Sequence, residues 1–288
     1  MTDQMHCMEV WGGNYGVDRH FHMPGLDVWV YADPHADDAF GGDLYYLSSC
    51  ASGRITRLML ADVSGHGAEV ADCAVQLRNL MRRYVNRISQ SRLVEGLNKE
   101  FTRITDAGKF ATAIVGTFFA GNRRFQLCQA GHPPPLVYRH STREWEYLAS
   151  APELAKPGAL QNTPIGIIDS VEYVQLDFPF ATGDMFLAYT DGLIEARDSQ
   201  DRLLKRDGLL QIVRQLDVSD PSRLLTALRS RLRERGIDFV DDDLTMLLAR
   251  ADGSGVAWKD NLMAPLRMLR RARDATKMRE PREQPATT

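Results

Sequence analysis

Four aspartates stand where short apolar runs meet turns, and they are the residues of this chain best suited to carry chemistry. Asp43 follows Phe40-Gly41-Gly42, and Asp62 ends the run Leu58 to Ala61. Asp191 ends "MFLAYT" and precedes Gly192, while Asp242 stands between Asp241 and Asp243 just before "LTMLL". An acid at the end of a buried strand is costly unless it is hydrogen-bonded, paired or bound to a cation. One such acid is commonplace as an Asx-turn or a helix cap. Four, each beside glycine or another acid, point to a cation site, because clustered carboxylates repel and hard divalent ions relieve the repulsion. An oxygen-only donor set favours Mg2+ or Mn2+ over zinc, which prefers His and Cys. Two such ions about 3.5–4 Å apart are a general device for attacking phosphate esters. They acidify a shared water, which becomes the nucleophile, and offset charge developing on the phosphoryl oxygens. No serine nucleophile is required.

Other groups invite weighing. Ser64 lies two residues before His66 in "ADVSGHG", as in a nucleophile pair, but the G-x-S-x-G elbow that would pose such a serine is missing. His20, His22 and His35 could be grouped as a transition-metal cluster; their positions before and after the first expected strand favour surface roles instead. Gly131-His132 followed by three prolines reads as a stiff loop, since proline cannot donate ladder hydrogen bonds. Cys7, Cys50, Cys73 and Cys128 are scattered without a CxxC pair and read as reduced thiols.

The elements that must position the aspartates are mostly short strands. "LDVWVYAD", "DLYYLSS" and "RITRLMLAD" are β-rich runs separated by Gly and Ser, too close for crossover helices, so antiparallel hairpins are expected. Then the period changes: Ala71, Ala74, Leu77, Met81 and Tyr84 recur at helical spacing, and a second helix is expected over 91–106. "FATAIVGTFFA", "RFQLCQA", "PLVYR", "WEYLA", "VEYVQLDF" and "DMFLAYTD" return to strands. Asp220-Pro221 has the form of an N-cap before proline, and Leu224, Leu225, Leu228 and Leu232 then share one helix face. Strands, two helices, many strands, two helices and a strand predict an α+β sandwich with helix pairs covering antiparallel sheets.

At 288 residues with a net charge of −3, the composition offers no general case for nucleic acid or membrane binding. No apolar stretch approaches the ~20 residues of a membrane span, and "MTDQMHCMEV" lacks the basic-then-apolar pattern of a signal peptide. A cytoplasmic protein is expected. From Val256 onward, eight basic residues against four acidic ones form a basic tail, read as a solvated extension.

Taken in order, "FGGDLYYL", "ADVSGHG", "FATAIVGTF", "AGHPPPLVY", "TPIG", "GDMFLAYTDGLIEAR" and "DDDLTMLL" resemble the metal-dependent protein phosphatases (protein phosphatase 2C, or PPM), in the bacterial branch typified by stage II sporulation protein E. The resemblance implies a four-layer αββα sandwich with two Mn2+ or Mg2+ ions at one end. It divides the chain into an N-terminal extension (1–27), a phosphatase domain (28–252) and a tail (253–288). It implies that Asp62 bridges both ions, that Val63 contributes its carbonyl, that Asp43 binds the second ion, and that Asp191 and Asp242 bind the first. Asp241 and Asp243 are expected as supporting or turn residues. His66 sits two residues later than the proton-donating histidine of eukaryotic relatives, so it either acts as an acid or packs beside the turn. Arg19 is a distant candidate for their phosphate-binding arginine. The implied activity is hydrolysis of phosphoserine or phosphothreonine on a protein, an anti-sigma-factor antagonist or similar bacterial regulator, with regulation by a partner, by self-association or through the helices after Asp62. A non-catalytic signalling module with the same fold is the alternative. A nucleotide cyclase or a nuclease would need a nucleotide pocket or a basic face that the sequence does not offer.

Overall fold

The runs of aromatic and β-branched residues become strands, and the 3.6-period segments become helices. The computed structural model describes residues 2–4, 10–35, 40–49, 54–65, 67–105, 108–148, 160–237 and 242–255. In chain order these form β1 (Thr2–Gln4), β2 (Val10–Gly13), β3 (Val17–Met23), β4 (Leu26–Asp33), β5 (Asp43–Ser49), β6 (Ile55–Val63), α1 (Ala68–Tyr84) and α2 (Gln90–Ile104). There follow β7 (Ala111–Phe119), β8 (Arg124–Ala130), β9 (Leu136–Arg139), β10 (Glu144–Tyr147), β11 (Leu176–Pro179), β12 (Met185–Tyr189), α3 (Asp191–Glu195), α4 (Lys205–Val213), α5 (Leu224–Glu234) and β13 (Leu244–Ala251).

The strands assemble into two sheets, ordered β1-β3-β4-β13-β12-β9-β10 and β11-β8-β7-β6-β5-β2. All pairings are antiparallel except β1 with β3. The inner faces meet in one apolar layer that includes Phe21, Val30, Tyr45, Leu60, Ile114, Phe125, Phe186 and Leu247. The helix pair α1–α2 covers the outer face of the six-stranded sheet through Leu77, Met81, Leu97 and Phe101. On the other side α3, α4 and α5 cover the seven-stranded sheet through Leu193, Leu209, Leu228 and Leu232. The result is the expected αββα sandwich. Strands β5 and β12 are buried along their whole length, which explains why "DLYYLSS" and "MFLAY" do not alternate with polar residues.

Side chains cap two helix starts, the second as the Asp220-Pro221 pair predicts. Ser89 Oγ accepts from Arg92 N at α2, and Asp220 accepts from Ser222 N at 3.1 Å ahead of α5. Elsewhere the structure adds to the sequence reading. Residues 10–27, placed there in an extension, include β2 paired with β5 and β3 paired with β4, so both sheets gain strands before Val28. In β3 the alternation of buried Val17, Phe21 and Met23 is interrupted by exposed Arg19, which obscures it in the sequence. "VEYVQLDF" is strand only from Leu176. Its first half makes only an isolated bridge between Glu172 and Gln161 and is held further by side chains: Asn162 Oδ1 accepts from Val174 N, and Gln175 Oε1 accepts from Gln90 N. Cys73 and Cys128 are buried; Cys7, Cys50 and residues 256–288 lie outside the described residues. Among the described residues, no helix is long and apolar enough to cross a membrane.

Between the sheets Phe125 stacks on Phe178 and Phe186 and meets Phe180 edge-on, at centroid distances of 5.0–5.5 Å. Truncation to Ala leaves a cavity that rigid sheets cannot close. Phe125→Ala is expected to cost about 3–5 kcal/mol, read from the midpoint of urea unfolding with an unchanged m-value.

Candidate metal centre

Strand register delivers the carboxylates to one end of the sandwich. Asp43 and Asp62 are direct partners across β5 and β6, and Thr112 of β7 is opposite Asp62. In the other sheet Asp33 pairs with Leu244 and Tyr189 with Met246, so β12 ends and β13 begins at this same end. Asp191 therefore follows β12 as the first residue of α3, and Asp242 stands two residues before β13. Each sheet contributes two of the four aspartates.

Short polar ties hold the two halves in register. Thr190 Oγ1 donates to Asp43 Oδ2 at 2.7 Å and accepts from Thr245 N at 3.0 Å, joining the two sheets at the site. Both oxygens of Asp243 are taken by backbone amides: Oδ1 by His35 N, and Oδ2 by Gly42 N at 2.6 Å and Asp43 N at 3.3 Å. That carboxylate organises the loop and leaves Asp242 to face the other acids. Asn14, buried, donates to Gly41 O at 3.0 Å while its own carbonyl accepts from Gly41 N at 2.7 Å. Two glycines permit these approaches: a Cβ on Gly41 would overlap the Asp243 carboxylate, and one on Gly192 would overlap the Asp243 carbonyl. The carbonyl of Val63 faces Gly42, close to the same loop.

The electrostatics are one-sided. Burial raises the pKa of Asp62 to about 7, helped by Asp191, Asp242, Asp243 and Glu195. Asp43 is raised well above the usual carboxylate value by burial and by Asp62. Asp191 is raised by burial and Glu195, and Asp242 by burial and Asp191, with His35 acting against the shift. The groups that act most strongly on Asp62 are thus all acids, a donor set that suits bound divalent cations.

Other expectations resolve individually. Ser64 Oγ accepts from Phe110 N at 3.0 Å, and Ser64 N donates to Phe110 O at 2.9 Å, so the serine pins the turn to β7. His66 and Asp241 lie outside the described residues. His35 separates from the other two histidines and joins the carboxylate end; Arg19 lies on β3, exposed. Three contributors, Asn14, Thr190 and Glu195, escaped the sequence reading, and His132, read there only as part of a stiff loop, joins them. His132 is buried between the sheets, with Nε2 3.1 Å from Tyr189 O and Nδ1 2.8 Å from Thr112 Oγ1. A carbonyl only accepts, so Nε2 carries the proton and Nδ1 accepts from Thr112. Burial lowers its pKa to about 3, and the ring is neutral. Only the "AGHPPP" setting hinted at this.

Two outcomes follow from these contacts. Gly192→Ala, which drives a methyl into the Asp243 backbone, is expected to weaken Mn2+ binding at least about tenfold in calorimetric titration, whereas Gly253→Ala, with open space around it, leaves affinity unchanged. The second concerns pH. In the folded, chelator-treated protein Asp62 holds its proton up to about pH 7, whereas its unfolded value is 3.8. The folded state then binds more protons across that window, so stability is full below it and is lost as pH rises through 7. Urea midpoints of chelated protein should fall between pH 5 and pH 7.5; Asp62→Asn should flatten the fall, and Mn2+ should reverse it.

Comparison with known proteins gives the family of the chain. The chain is 23% identical over 226 residues to the phosphoserine phosphatase RsbU of Bacillus subtilis, covering 78% of this chain and 63% of RsbU. The structure of the RsbU and RsbW domains of Rv1364c from Mycobacterium tuberculosis superposes with a TM-score of 0.67 at 27% identity, over 84% of this chain and 64% of that one. RsbX in complex with magnesium shares the fold, with a TM-score of 0.59 at 15% identity over 81% of this chain and 99% of that one. The chain thus spans slightly less than two thirds of RsbU and of the Rv1364c structure. The family model for stage II sporulation protein E matches residues 52–252, which include Asp62, Asp191 and Asp242, and the chain belongs to that family.

Proposed function

We propose that the chain is a metal-dependent phosphatase that hydrolyses phosphoserine or phosphothreonine on a bacterial regulatory protein, an anti-sigma-factor antagonist or a similar small domain. The observation that carries this reading is the convergence of Asp43, Asp62, Asp191 and Asp242 from both sheets, with acids as the dominant charges around Asp62. Membership of the family, and the name phosphoserine phosphatase borne by RsbU, support the reaction class.

In this reading Asp43, Asp62, Asp191, Asp242 and the Val63 carbonyl hold two Mn2+ or Mg2+ ions. Such ions supply an acidified water as nucleophile and neutralise charge on the phosphoryl oxygens. The chain's own residues do the positioning. Thr190 orients Asp43, Asp243 holds the Gly41-Gly42 backbone against β13, and His132 fixes Tyr189 relative to Thr112. Ser64 is committed to the backbone and forms no covalent intermediate. Lys109 supplies positive charge at the rim: its Nζ lies beside the Gly65 turn and 3.9 Å from exposed Glu69, in reach of a phosphate approaching that turn. A non-catalytic module of this fold would not need four intact carboxylates.

Turnover of a phosphoserine peptide is expected to require Mn2+ or Mg2+ and to fall at least about a hundredfold in Asp62→Asn and in Asp191→Asn. Lys109→Met should raise KM several-fold with kcat nearly unchanged. Metal-independent turnover, or full activity in both aspartate variants, would overturn the two-ion reading.

A further inference from the structure

The opposite end of the sandwich carries a second convergence of ligand atoms. We propose that His22, Asp27 and Asp252 form a binding site for a divalent transition cation of the zinc class, separate from the carboxylate centre. The eight residues of β13 separate the two ends by about 25 Å at ~3.3 Å per residue.

The site follows from register. His22 and Asp27 are opposite each other across the β3–β4 hairpin. Ala251 pairs with Leu26, and Asp252 N then donates to Gly25 O at 3.1 Å, which brings the exit of β13 to the hairpin tip. His22 Nδ1 lies 2.9 Å from Asp27 Oδ1 and 3.5 Å from Asp252 Oδ2, and the three ligand atoms all fall within 4.8 Å of one another. Donors around a tetrahedral ion with bonds of about 2.1 Å stand roughly 3.4 Å apart, so binding needs only small side-chain shifts.

The surroundings aim these atoms. Asp252 Oδ1 accepts from Ser254 N at 2.8 Å and Ser254 Oγ at 2.6 Å, which leaves Oδ2 turned toward His22. Ser254 Oγ in turn accepts from Gly25 N at 2.9 Å, and Arg123 Nη1 donates to Asp252 O at 2.8 Å. On the other side His20 Nε2 lies 2.9 Å from Asp27 Oδ1, and its ring stacks on Trp29 at 4.5 Å. An imidazole locked by stacking and bonded to a ligating carboxylate is the support that metal sites commonly use. The two carboxylates are 15% and 14% exposed and His22 is 35% exposed, so His22 is the most open of the three ligands.

Ligand chemistry sets the class. One imidazole nitrogen with two carboxylates suits Zn2+, Co2+ or Ni2+, whereas Mg2+ and Ca2+ favour all-oxygen shells. Arg250 is opposite Asp27 on β13, so a plain ion-pair cluster is the competing outcome. A bound ion would clip the hairpin tip to the last residues of the domain, a closure across more than 220 residues of chain between Asp27 and Asp252, counted from their numbers.

The test uses the full chain carrying Asp62→Asn and Asp191→Asn, which disables the other centre, after chelator treatment and dialysis. Zn2+ titration is expected to show one equivalent bound and a rise in melting temperature on the order of 5 °C at a hundredfold excess over Kd. Co2+ should produce the visible absorption of a tetrahedral ion. Adding His22→Gln or, separately, Asp252→Asn should abolish all three signals, with far-UV circular dichroism confirming that each variant is folded. Absence of Zn2+ uptake by the parent, or uptake and thermal shift unchanged in both added variants, would overturn the proposal and leave a histidine–carboxylate ion-pair cluster.

Discussion

Repulsion among clustered carboxylates is the constraint that organises this molecule. Four aspartates and a nearby glutamate share one end of the sandwich, and burial, reinforced by the field of the neighbouring acids, raises the pKa of Asp62 to about 7. An assembly of that kind disfavours its own folding unless something rigid holds it. The rigidity comes from two sheets whose inner faces interlock through a ring-rich apolar layer and whose outer faces are each covered by helices. Fold and site are therefore opposed in energy and joined in geometry: apolar burial supports what the acids resist.

Polar ties convert that rigidity into side-chain placement. Thr190, with one hydroxyl proton and its lone pairs, links an acid on one sheet to a backbone amide on the other. Asp243 uses both oxygens on the loop that carries Asp43, and so acts on the site without belonging to the acids that face one another. His132 spans the same interface as a neutral ring with a defined tautomer. In each case a buried polar group is satisfied by a partner across the inter-sheet boundary, the condition under which such groups confer specificity rather than instability.

Much of this was legible in the sequence. Acids at the ends of apolar runs are a strong signal because little else makes them tolerable there, and Asp43, Asp62, Asp191 and Asp242 do converge. The layer order followed from the switch between period-2 and period-3.6 segments. Position in three dimensions was harder to read. His35 and His22 look alike in the sequence, yet antiparallel register sends them to opposite ends of the sheet. Asn14 and Thr190 are ordinary residues whose roles exist only through partners 27 and 147 positions away. β3 escaped because exposed Arg19 breaks its apolar alternation, and the first half of "VEYVQLDF" misled because the Asn162 side chain, not a strand partner, takes the Val174 amide.

The division of the four aspartates, two from each sheet, makes the centre a gauge of inter-sheet alignment. Within one sheet the Asp43–Asp62 spacing is set by strand pairing and changes little. Between sheets, the spacing depends on how far one layer has slid along the other. A slip of an ångström leaves each hydrophobic face covered yet separates one aspartate pair from the other. The Thr190 and Asp243 ties, which cross between the sheets at this end, therefore fix the distance between the two aspartate pairs as well as the fold.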